Sequence, residues 1–159
     1  MFGAKKTSLL QRFNSQLGDF TKVMGKVDLN SLSVRLVVDK WSAKEQLAHL
    51  GRYQEVFQGR LNEILRGDVP RFERYRAEDD PKWPEWAQRP AETVVPELWI
   101  QRWMLSDRLG SLKKDDWKKT GIHPVFGEMD LALWVEFFLL HEAHHLYQVF
   151  QQVRQSKAA

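Results

Sequence analysis

Three of the five histidines in this chain lie close together in the stretch FFLLHEAHHLYQVF, residues 137–150. His141 and His145 are four residues apart, which places both imidazoles on one face of a helix. Imidazole pairs with this spacing bind zinc in many proteins. In a protein core such a pair can also hydrogen-bond to buried polar partners or line a cavity that contains water. His144 is turned about 100° from His145 around a helix, so we expect it at the edge of that face.

The same stretch contains the pattern H-E-x-x-H, which zinc proteases carry on a helix. A zinc protease also needs a third ligand after this motif. The longer form of the motif requires glycine at position 148 and histidine at position 151, and both positions are glutamine here. No aspartate or glutamate follows Glu142 either. We therefore interpret the match as accidental, and keep Glu142 as a candidate catalytic base or hydrogen-bond partner of a metal ligand.

A histidine on a different predicted helix could complete a metal site. His49 lies at the border of the apolar stripe of WSAKEQLAHL, close to the direction of Tyr53. It is near the start of its helix, whereas His141 and His145 lie in the middle of theirs. Packing of the two helices could bring the three imidazoles together and leave a fourth position for water or substrate. Three histidines with an open position are typical of a catalytic rather than a structural zinc.

Four segments have the apolar periodicity of amphipathic helices. Ser42 and Glu45 have the spacing of a capping box, and Asp130 is a good N-cap for the last helix. The predicted helices cover roughly residues 8–27, 42–64, 92–112 and 130–155. We expect no strand, except that residues 32–38 could form a short extended piece. The sequence therefore predicts an all-α protein, a four-helix bundle with a long connection between helices 2 and 3.

That connection, residues 67–91, has no sustained period and is rich in proline. Loops of this length within a compact domain are usually functional, often as lids. A purely structural role, covering an open end of the bundle, is equally compatible with the sequence. In either case Trp83 and Trp86 must pack against the rest of the protein.

Composition limits the classes of function. The 159 residues predict a single domain, residues 1–159. The chain contains no cysteine, so a metal would have to be bound by His, Asp or Glu. No apolar run is long enough to cross a bilayer, and the first residues lack the apolar core of a signal peptide. We expect a soluble, cytoplasmic protein without a membrane partner.

The net charge of +3 is a mild basic excess. Five arginines lie near one another and alternate with acidic residues: Arg60, Arg66, Arg71, Arg74 and Arg76. They could form a phosphate-binding patch, but the interspersed acids favour a solvated surface of mixed charge. Arg52 and Arg102 could hold a substrate carboxylate, although their positions suggest exposed side chains. No nucleic-acid-binding motif is present, and we expect no nucleic-acid partner.

Two motifs resemble those of the DinB-like superfamily. The first is WSAKEQLAHL, a Trp-Ser helix start with a histidine eight residues after the tryptophan. The second is HPVFGEMDLALWVEFFLLHEAHHLYQV, which is similar to the family's HP-x-x-G turn and its final H-x-x-x-H followed by glutamine. Each motif is short, but their order along the chain is fairly specific. The resemblance covers the chain from about residue 41 to its end.

The resemblance implies a four-helix bundle of up-down-down-up sense, often dimeric, with a divalent metal bound by three histidines. The metal is typically zinc or nickel, and the ligands would be His49, His141 and His145. Members of the family include transferases and isomerases that use low-molecular-weight thiols, and others are described as hydrolases. The resemblance implies no DNA polymerase or DNA-binding activity.

We therefore predict a metal-dependent enzyme with a small-molecule substrate, and a thiol as a possible cosubstrate. Its metal would lower the pKa of a bound water or hold a thiolate. Tyr53 and Gln148 are candidates for groups around the ligands. An alternative is a non-catalytic stress-response module that binds a metal or ligand on the same bundle. A third interpretation, a metal-free helical interaction protein, predicts that the three histidines do not converge.

Overall fold

Four long helices form the framework of the protein. The computed structural model describes the backbone of residues 2–158 and the side chains of residues 6–157. Its helices are α1 (Phe2–Met24), α2 (Ala43–Arg66), the short α3 (Trp83–Gln88), α4 (Ala91–Ser111) and α5 (Leu131–Ala158). Helices α1 and α2 each pack against both α4 and α5. The predicted four-helix bundle, with its long connection between the second and third long helices, is confirmed.

The helix ends follow from their capping residues. The Ser42 hydroxyl accepts a hydrogen bond from the backbone N–H of Glu45 (3.2 Å), and the Glu45 carboxylate accepts one from the backbone N–H of Ser42 (2.8 Å). Gly67 ends α2 in the left-handed region, with φ of 93°. At the start of α5, Asp130 accepts a hydrogen bond from the backbone N–H of Leu133 (2.8 Å). Both predicted N-caps are therefore correct.

The expectation about strands is wrong. An antiparallel hairpin, β1 (Thr120–His123) and β2 (Gly127–Asp130), precedes α5. Residues 32–38 contain the end of a 3₁₀ helix followed by bends and a turn, with no strand. Strands of four residues are too short to show a convincing alternation of apolar and polar residues, and this explains why the hairpin was missed.

A histidine side chain closes the turn of this hairpin. The Nδ1 atom of His123 accepts hydrogen bonds from the backbone N–H groups of Val125 (3.1 Å) and Phe126 (3.2 Å). Gly127 follows with a φ of 74°, in the left-handed region that glycine tolerates best. The HPVFG sequence is thus a structural turn, which places His123 and Phe126 beside α5.

The bundle interior contains a buried ion pair as well as apolar side chains. Nη1 of Arg102 lies 2.9 Å from Oε1 of Glu142, and the side-chain amide of Gln16 donates to Oε2 of Glu142 (2.7 Å). Arg102 also donates to the backbone carbonyl of Phe13 through Nε (3.1 Å) and Nη2 (2.6 Å). These contacts join α1, α4 and α5. In the described part of the chain, no helix is both long and apolar enough to span a membrane.

The connection between α2 and α4 is held by specific contacts. Trp86 of α3 is buried against α2, where Gly51 leaves room for its ring. Arg52 of α2 binds Asp80 of the connection through Nε (2.6 Å) and Nη2 (3.2 Å). Near the start of the connection, Arg71 pairs with Ile122 of β1. The connection is therefore an ordered part of the fold.

We predict that Gly51→Ala destabilises the protein. A Cβ at position 51 would lie 2.3 Å from the Trp86 ring, so this buried indole or the helix must shift. Overpacking of this kind typically lowers the free energy of unfolding by about 1–3 kcal/mol. Denaturant unfolding of the two proteins measures the difference.

Gly59→Ala is the matched control on the same helix. A Cβ there meets no atom within 4 Å. Replacing a helical glycine with alanine should stabilise the protein by about 0.5–1 kcal/mol. Equal effects of the two substitutions would show that Trp86 does not require the space at Gly51.

Candidate metal centre

The three predicted ligands converge between α2 and α5. The ring centroids of His49 and His145 are 4.3 Å apart, those of His141 and His145 are 4.6 Å apart, and those of His49 and His141 are 5.1 Å apart. One nitrogen atom from each ring lies within 4.8 Å of the others. His144, one position before His145, is exposed. The predicted convergence is confirmed, and the expectation that the three histidines stay apart is wrong.

The spacing of the ring nitrogens suits a divalent metal ion. The Nε2 atoms of His49 and His141 are 3.1 Å apart. Two ligands at 2.0–2.1 Å from a tetrahedral zinc are themselves about 3.3 Å apart. A small rotation of these side chains would therefore bring their nitrogen atoms to the separation that a zinc ion requires. The three imidazoles therefore fit a divalent metal ion, which is the ligand that three histidines predict.

The surroundings of the three rings keep them uncharged, as metal ligands must be. Burial, with a contribution from His145, lowers the pKa of His49 to about 3. Burial and the neighbouring histidines, with Arg60 as a smaller cause, lower the pKa of His141 to about 2. Burial and then His144 lower the pKa of His145 to about 4. Each ring therefore offers a nitrogen lone pair at neutral pH.

Gln46 orients one of the three rings. Its side-chain oxygen lies 2.6 Å from Nδ1 of His145. A neutral imidazole that donates its Nδ1 proton to this oxygen has its lone pair on Nε2, available to a metal. Sequence reasoning missed Gln46. The available signal was its position three residues before His49, on the same face of α2.

The other two rings have no such partner. The Nδ1 atoms of His49 and His141 are buried and make no hydrogen bond with any described residue. A purely structural histidine in a core is normally hydrogen-bonded to a buried polar group. Only His145 meets that description, because the one hydrogen-bonding contact of His49 and His141 among the described residues is with each other, between their Nε2 atoms at 3.1 Å. This contact leaves both Nδ1 atoms without a partner, so hydrogen bonding accounts for these two histidines only in part.

Aromatic side chains surround the histidines on α2 and α5. The Trp41 ring lies 5.0 Å from the His49 ring, and the Tyr53 ring lies 4.1 Å from the His141 ring, between centroids. Trp83, from the α2–α4 connection, packs on Trp41 at 4.8 Å. These contacts restrict the orientations of the imidazoles and exclude water from their sides.

A cavity of about 490 Å³ opens in front of the three histidines. Its size is in the range of small-molecule sites. The wall includes α2, α5, the hairpin turn and residues 74–78 of the connection between α2 and α4. This connection is therefore part of the site. The remaining residues of the lining are Trp41, Tyr53, Arg60, Arg74, Tyr75, Arg76, Ala77, Glu78, His123, Val125, Phe126 and Phe137.

Two candidates from the sequence lie elsewhere. Glu142 is held in the buried ion pair with Arg102 and does not line the cavity. Gln148 is absent from the cavity lining as well, whereas Tyr53 is part of it. A role for Glu142 as a base at this cavity would require it to leave its ion pair.

The expectations for the arginines need correction. Arg102 is only 4% exposed because it is paired with Glu142 inside the bundle, and Arg52 is paired with Asp80 and Glu55. Neither lines the cavity. The interpretation of the five-arginine segment as a solvated surface holds for four of its members, which are exposed: Arg66, Arg71, Arg74 and Arg76.

That interpretation is wrong for Arg60. Its position on α2 turns it inward, to the cavity wall, where it is 8% exposed. Arg74 and Arg76 line the cavity as well. The acidic residues that alternate with these arginines along the sequence make no ion pair with Arg60 in the described structure. The acidic residues near Arg60 in the sequence therefore do not neutralise it in the structure, contrary to what the sequence suggests.

Comparison with known proteins agrees with this arrangement. A family model described as DinB superfamily matches residues 12–149. The chain belongs to the DinB superfamily. The matched range includes all three histidines and most of the four long helices of this DinB protein.

Two curated relatives and one solved structure resemble the DinB chain. YuaE from Bacillus subtilis is 28% identical over 152 residues, covering 85% of this chain and 90% of YuaE. A Bacillus cereus protein named "putative metal-dependent hydrolase" is 24% identical over 143 residues, covering 86% of this chain and 78% of that protein. YfiT from Bacillus subtilis is described as a probable metal-dependent hydrolase with an unusual four-helix bundle topology. Its structure superposes with a TM-score of 0.76 at 13% identity, over 96% of this chain and 87% of YfiT.

We predict that Glu142→Gln lowers stability but leaves metal binding unchanged. The substitution leaves the buried Arg102 guanidinium without a counter-charge. Breaking a buried ion pair in this way typically costs about 3–5 kcal/mol. Thermal unfolding and elemental analysis of the same preparation measure the two properties.

Glu136→Gln is the control for this substitution. It removes a carboxylate from the same helix, but the ion pair of Glu136 with Arg12 is exposed. An exposed pair contributes less than about 1 kcal/mol. Loss of bound metal in Glu142→Gln at a temperature where the protein is folded would contradict a purely structural role for Glu142.

Proposed function

We propose that this DinB protein is a metal-dependent hydrolase that acts on a small molecule. His49, His141 and His145 hold one divalent ion, zinc or nickel, at the wall of the cavity. The observation that carries the proposal is the convergence of three neutral imidazoles, one buried and two half-buried, beside an open cavity. The names of the Bacillus cereus relative and of YfiT support the same class of enzyme.

A divalent ion in this position supplies Lewis-acid chemistry, because it lowers the pKa of a bound water and polarises a substrate oxygen. The protein contributes the orientation of the ligands and a partly dry cavity. Gln46 fixes the tautomer of His145, and Trp41 and Tyr53 restrict the other two rings. Such support around the ligands commonly changes metal affinity or activity about 10–100-fold.

Tyr53 can donate a hydrogen bond to the substrate. Its hydroxyl oxygen accepts from Nη1 of Arg60 at 3.5 Å, and its own proton has no acceptor among the described residues. Burial raises the pKa of Tyr53 to about 12, so the phenol keeps this proton at neutral pH. Tyr75 is different, because its hydroxyl already donates to Asp80 (3.0 Å). Tyr53 is therefore the phenol available to a substrate oxygen.

Transfer to a low-molecular-weight thiol is the second candidate function. The only carboxylate in the described cavity lining is that of Glu78, which is exposed. A hydrolase usually places a base near the attacking water. A thiol ionises far more readily than water, so thiol transfer depends less on such a base. A non-catalytic module would differ from both enzymes in showing no turnover and no exchangeable ligand on its metal.

We predict that zinc stabilises the wild-type protein and that His145→Ala removes this effect. A ligand that binds only the folded state at about 100 times its Kd adds about 2.7 kcal/mol of stability. The measurement is thermal unfolding of protein purified without an affinity tag, in chelator and again in excess zinc. Elemental analysis of the same samples gives the stoichiometry.

His144→Ala is the matched control, since His144 lies on the same helix but is exposed. It should keep the full stabilisation by zinc. The prediction is contradicted if zinc does not change the wild-type melting temperature and His145→Ala is equally destabilised in both buffers. His145 would then be a structural histidine and not a metal ligand.

We also propose that the protein is a homodimer packed through its helices. The outer face of α4 has exposed apolar side chains, with Trp103 70%, Ile100 59% and Met104 52% exposed. Apolar patches of this kind usually mark an interaction surface. Light scattering at micromolar concentration should give twice the chain mass of 18.8 kDa. A mass near that of one chain would contradict the dimer.

A further inference from the structure

We propose that Arg60 anchors a carboxylate of the substrate, so that the substrate is a small organic acid. The inference rests on the proposed function in one respect, namely that the reacting end of the substrate lies at the three histidines. The cavity then has two ends with different tasks. One end would hold the metal and the reacting group, and the other would hold the acidic group.

Arg60 is a buried charge without a counter-charge. It is 8% exposed, and no carboxylate of the described residues forms an ion pair with it. Its Nη2 atom donates to the backbone carbonyl of Glu73 (2.8 Å), and its Nη1 atom donates to the Tyr53 hydroxyl. Both acceptors are uncharged. Burying an unpaired charge is costly, so an anion that enters the cavity at this point would gain a strong interaction.

The other inward arginines show the contrast. Arg102, 4% exposed, is neutralised by Glu142, and Arg52 is neutralised by Asp80 and Glu55. The fold therefore supplies a carboxylate to the buried Arg102 and to the half-buried Arg52, neither of which lines this cavity. Arg60, which faces it, has none. This difference indicates that the missing counter-charge comes from a ligand.

Arg60 lies close enough to the histidines to act on the same molecule. Tyr53 connects the two groups, because its ring lies 4.1 Å from the His141 ring and its hydroxyl contacts Arg60 at 3.5 Å. A molecule with a few atoms between its acidic and reacting groups therefore spans the distance.

The rest of the lining agrees with an acidic ligand. Arg74 and Arg76 also line this cavity, and Glu78 is the one acidic residue in its described lining. Arg76 has a distant ion pair with Asp79 (3.7 Å), whereas Arg74 has no ion pair within the described structure. A positive lining attracts anions and raises their local concentration.

The guanidinium of Arg60 is held in place for such a contact. Its central carbon lies 5.3 Å from the centroid of the Phe72 ring and 5.6 Å from that of the Trp134 ring. A fixed, planar guanidinium presents paired N–H groups that match the two oxygens of a carboxylate. This geometry favours a carboxylate over a ligand with a single acceptor atom.

The test compares acids with their neutral amides on cobalt-substituted protein. The probes are mercaptocarboxylic acids of two to four carbons, each beside the corresponding mercaptoamide. Thiolate binding to cobalt produces a charge-transfer absorption, which gives a Kd for each probe. In wild-type protein we expect at least one acid to bind about tenfold more tightly than its amide, as a charged hydrogen bond would give.

Arg60→Gln should abolish this preference, and Arg71→Gln should retain it. Both substitutions remove one positive charge, but Arg71 is exposed and does not line the cavity. Arg60→Met, which keeps an unbranched side chain without a charge, replaces Arg60→Gln if Arg60→Gln does not fold. Equal binding of acids and amides to wild-type protein, or a preference that survives at both Arg60 variants, would overturn the proposal.

A metal-free arm separates this proposal from the proposed function. Binding of propionate to chelator-treated wild type, Arg60→Gln and Arg71→Gln is followed by NMR. If the protein binds no cobalt, the metal-dependent hydrolase is wrong and this arm alone decides on Arg60. Propionate binding that is weakened about tenfold only by Arg60→Gln supports the carboxylate site. Binding that is the same in all three proteins rejects it.

Discussion

Three imidazoles must stay neutral and adjacent in the interior, and much of the structure depends on this requirement. Burial holds their pKa values far below that of free histidine, so each ring keeps a lone pair. Two of the rings lie one turn apart on α5, and the third must come from a helix that packs closely against α5. Helix α2 meets this condition and also carries Gln46, which orients His145. The packing of α2 on α5 therefore determines whether the site exists.

The protein treats its inward arginines in two ways. Where the guanidinium has a structural role, a carboxylate accompanies it: Glu142 for Arg102, and Asp80 for Arg52. The first pair lies among α1, α4 and α5, and the second joins α2 to the long connection. Arg60 has only uncharged acceptors, and it lies on the cavity. A buried charge without a charged partner is costly in a folded protein. The position of Arg60 at the candidate site is therefore consistent with a ligand that supplies the missing partner.

The sequence predicted the framework well because the relevant signals are local. Ser42, Glu45 and Asp130 act through backbone groups three residues away, and α5 retains its apolar period over many turns. The pairing of His141 with His145 likewise follows from helix geometry alone. His49 required a further assumption, that α2 packs against α5. The family resemblance implied the same three ligands, and the structure brings them together.

The errors have a common physical origin, since each depends on contacts between residues far apart in sequence. The burial of Arg102 depends on Glu142 and on the carbonyl of Phe13, and no local pattern shows either partner. Arg60 seemed neutralised by acids nearby in the sequence, but the helix turns its side chain away from them. The hairpin depends on His123 and Gly127 within strands of only four residues.

The two ends of the cavity are built from different parts of the chain. All three histidines belong to long helices, α2 and α5, whose positions are fixed by the bundle core. Arg74, Tyr75 and Arg76 belong instead to the connection, which is held to the bundle by Trp86 at Gly51 and by Asp80 at Arg52. Arg74 and Arg76 line the cavity without a described contact to any of the three histidines, whereas the Tyr75 ring stacks on the His49 ring at 5.8 Å between centroids. Two residues of α2 join the two parts. Arg60 donates to the backbone carbonyl of Glu73 in the connection and to the Tyr53 hydroxyl, and the Tyr53 ring packs on His141. Under the proposed function, the long helices would therefore position the metal ligands, and the connection would supply part of the surface that meets the substrate.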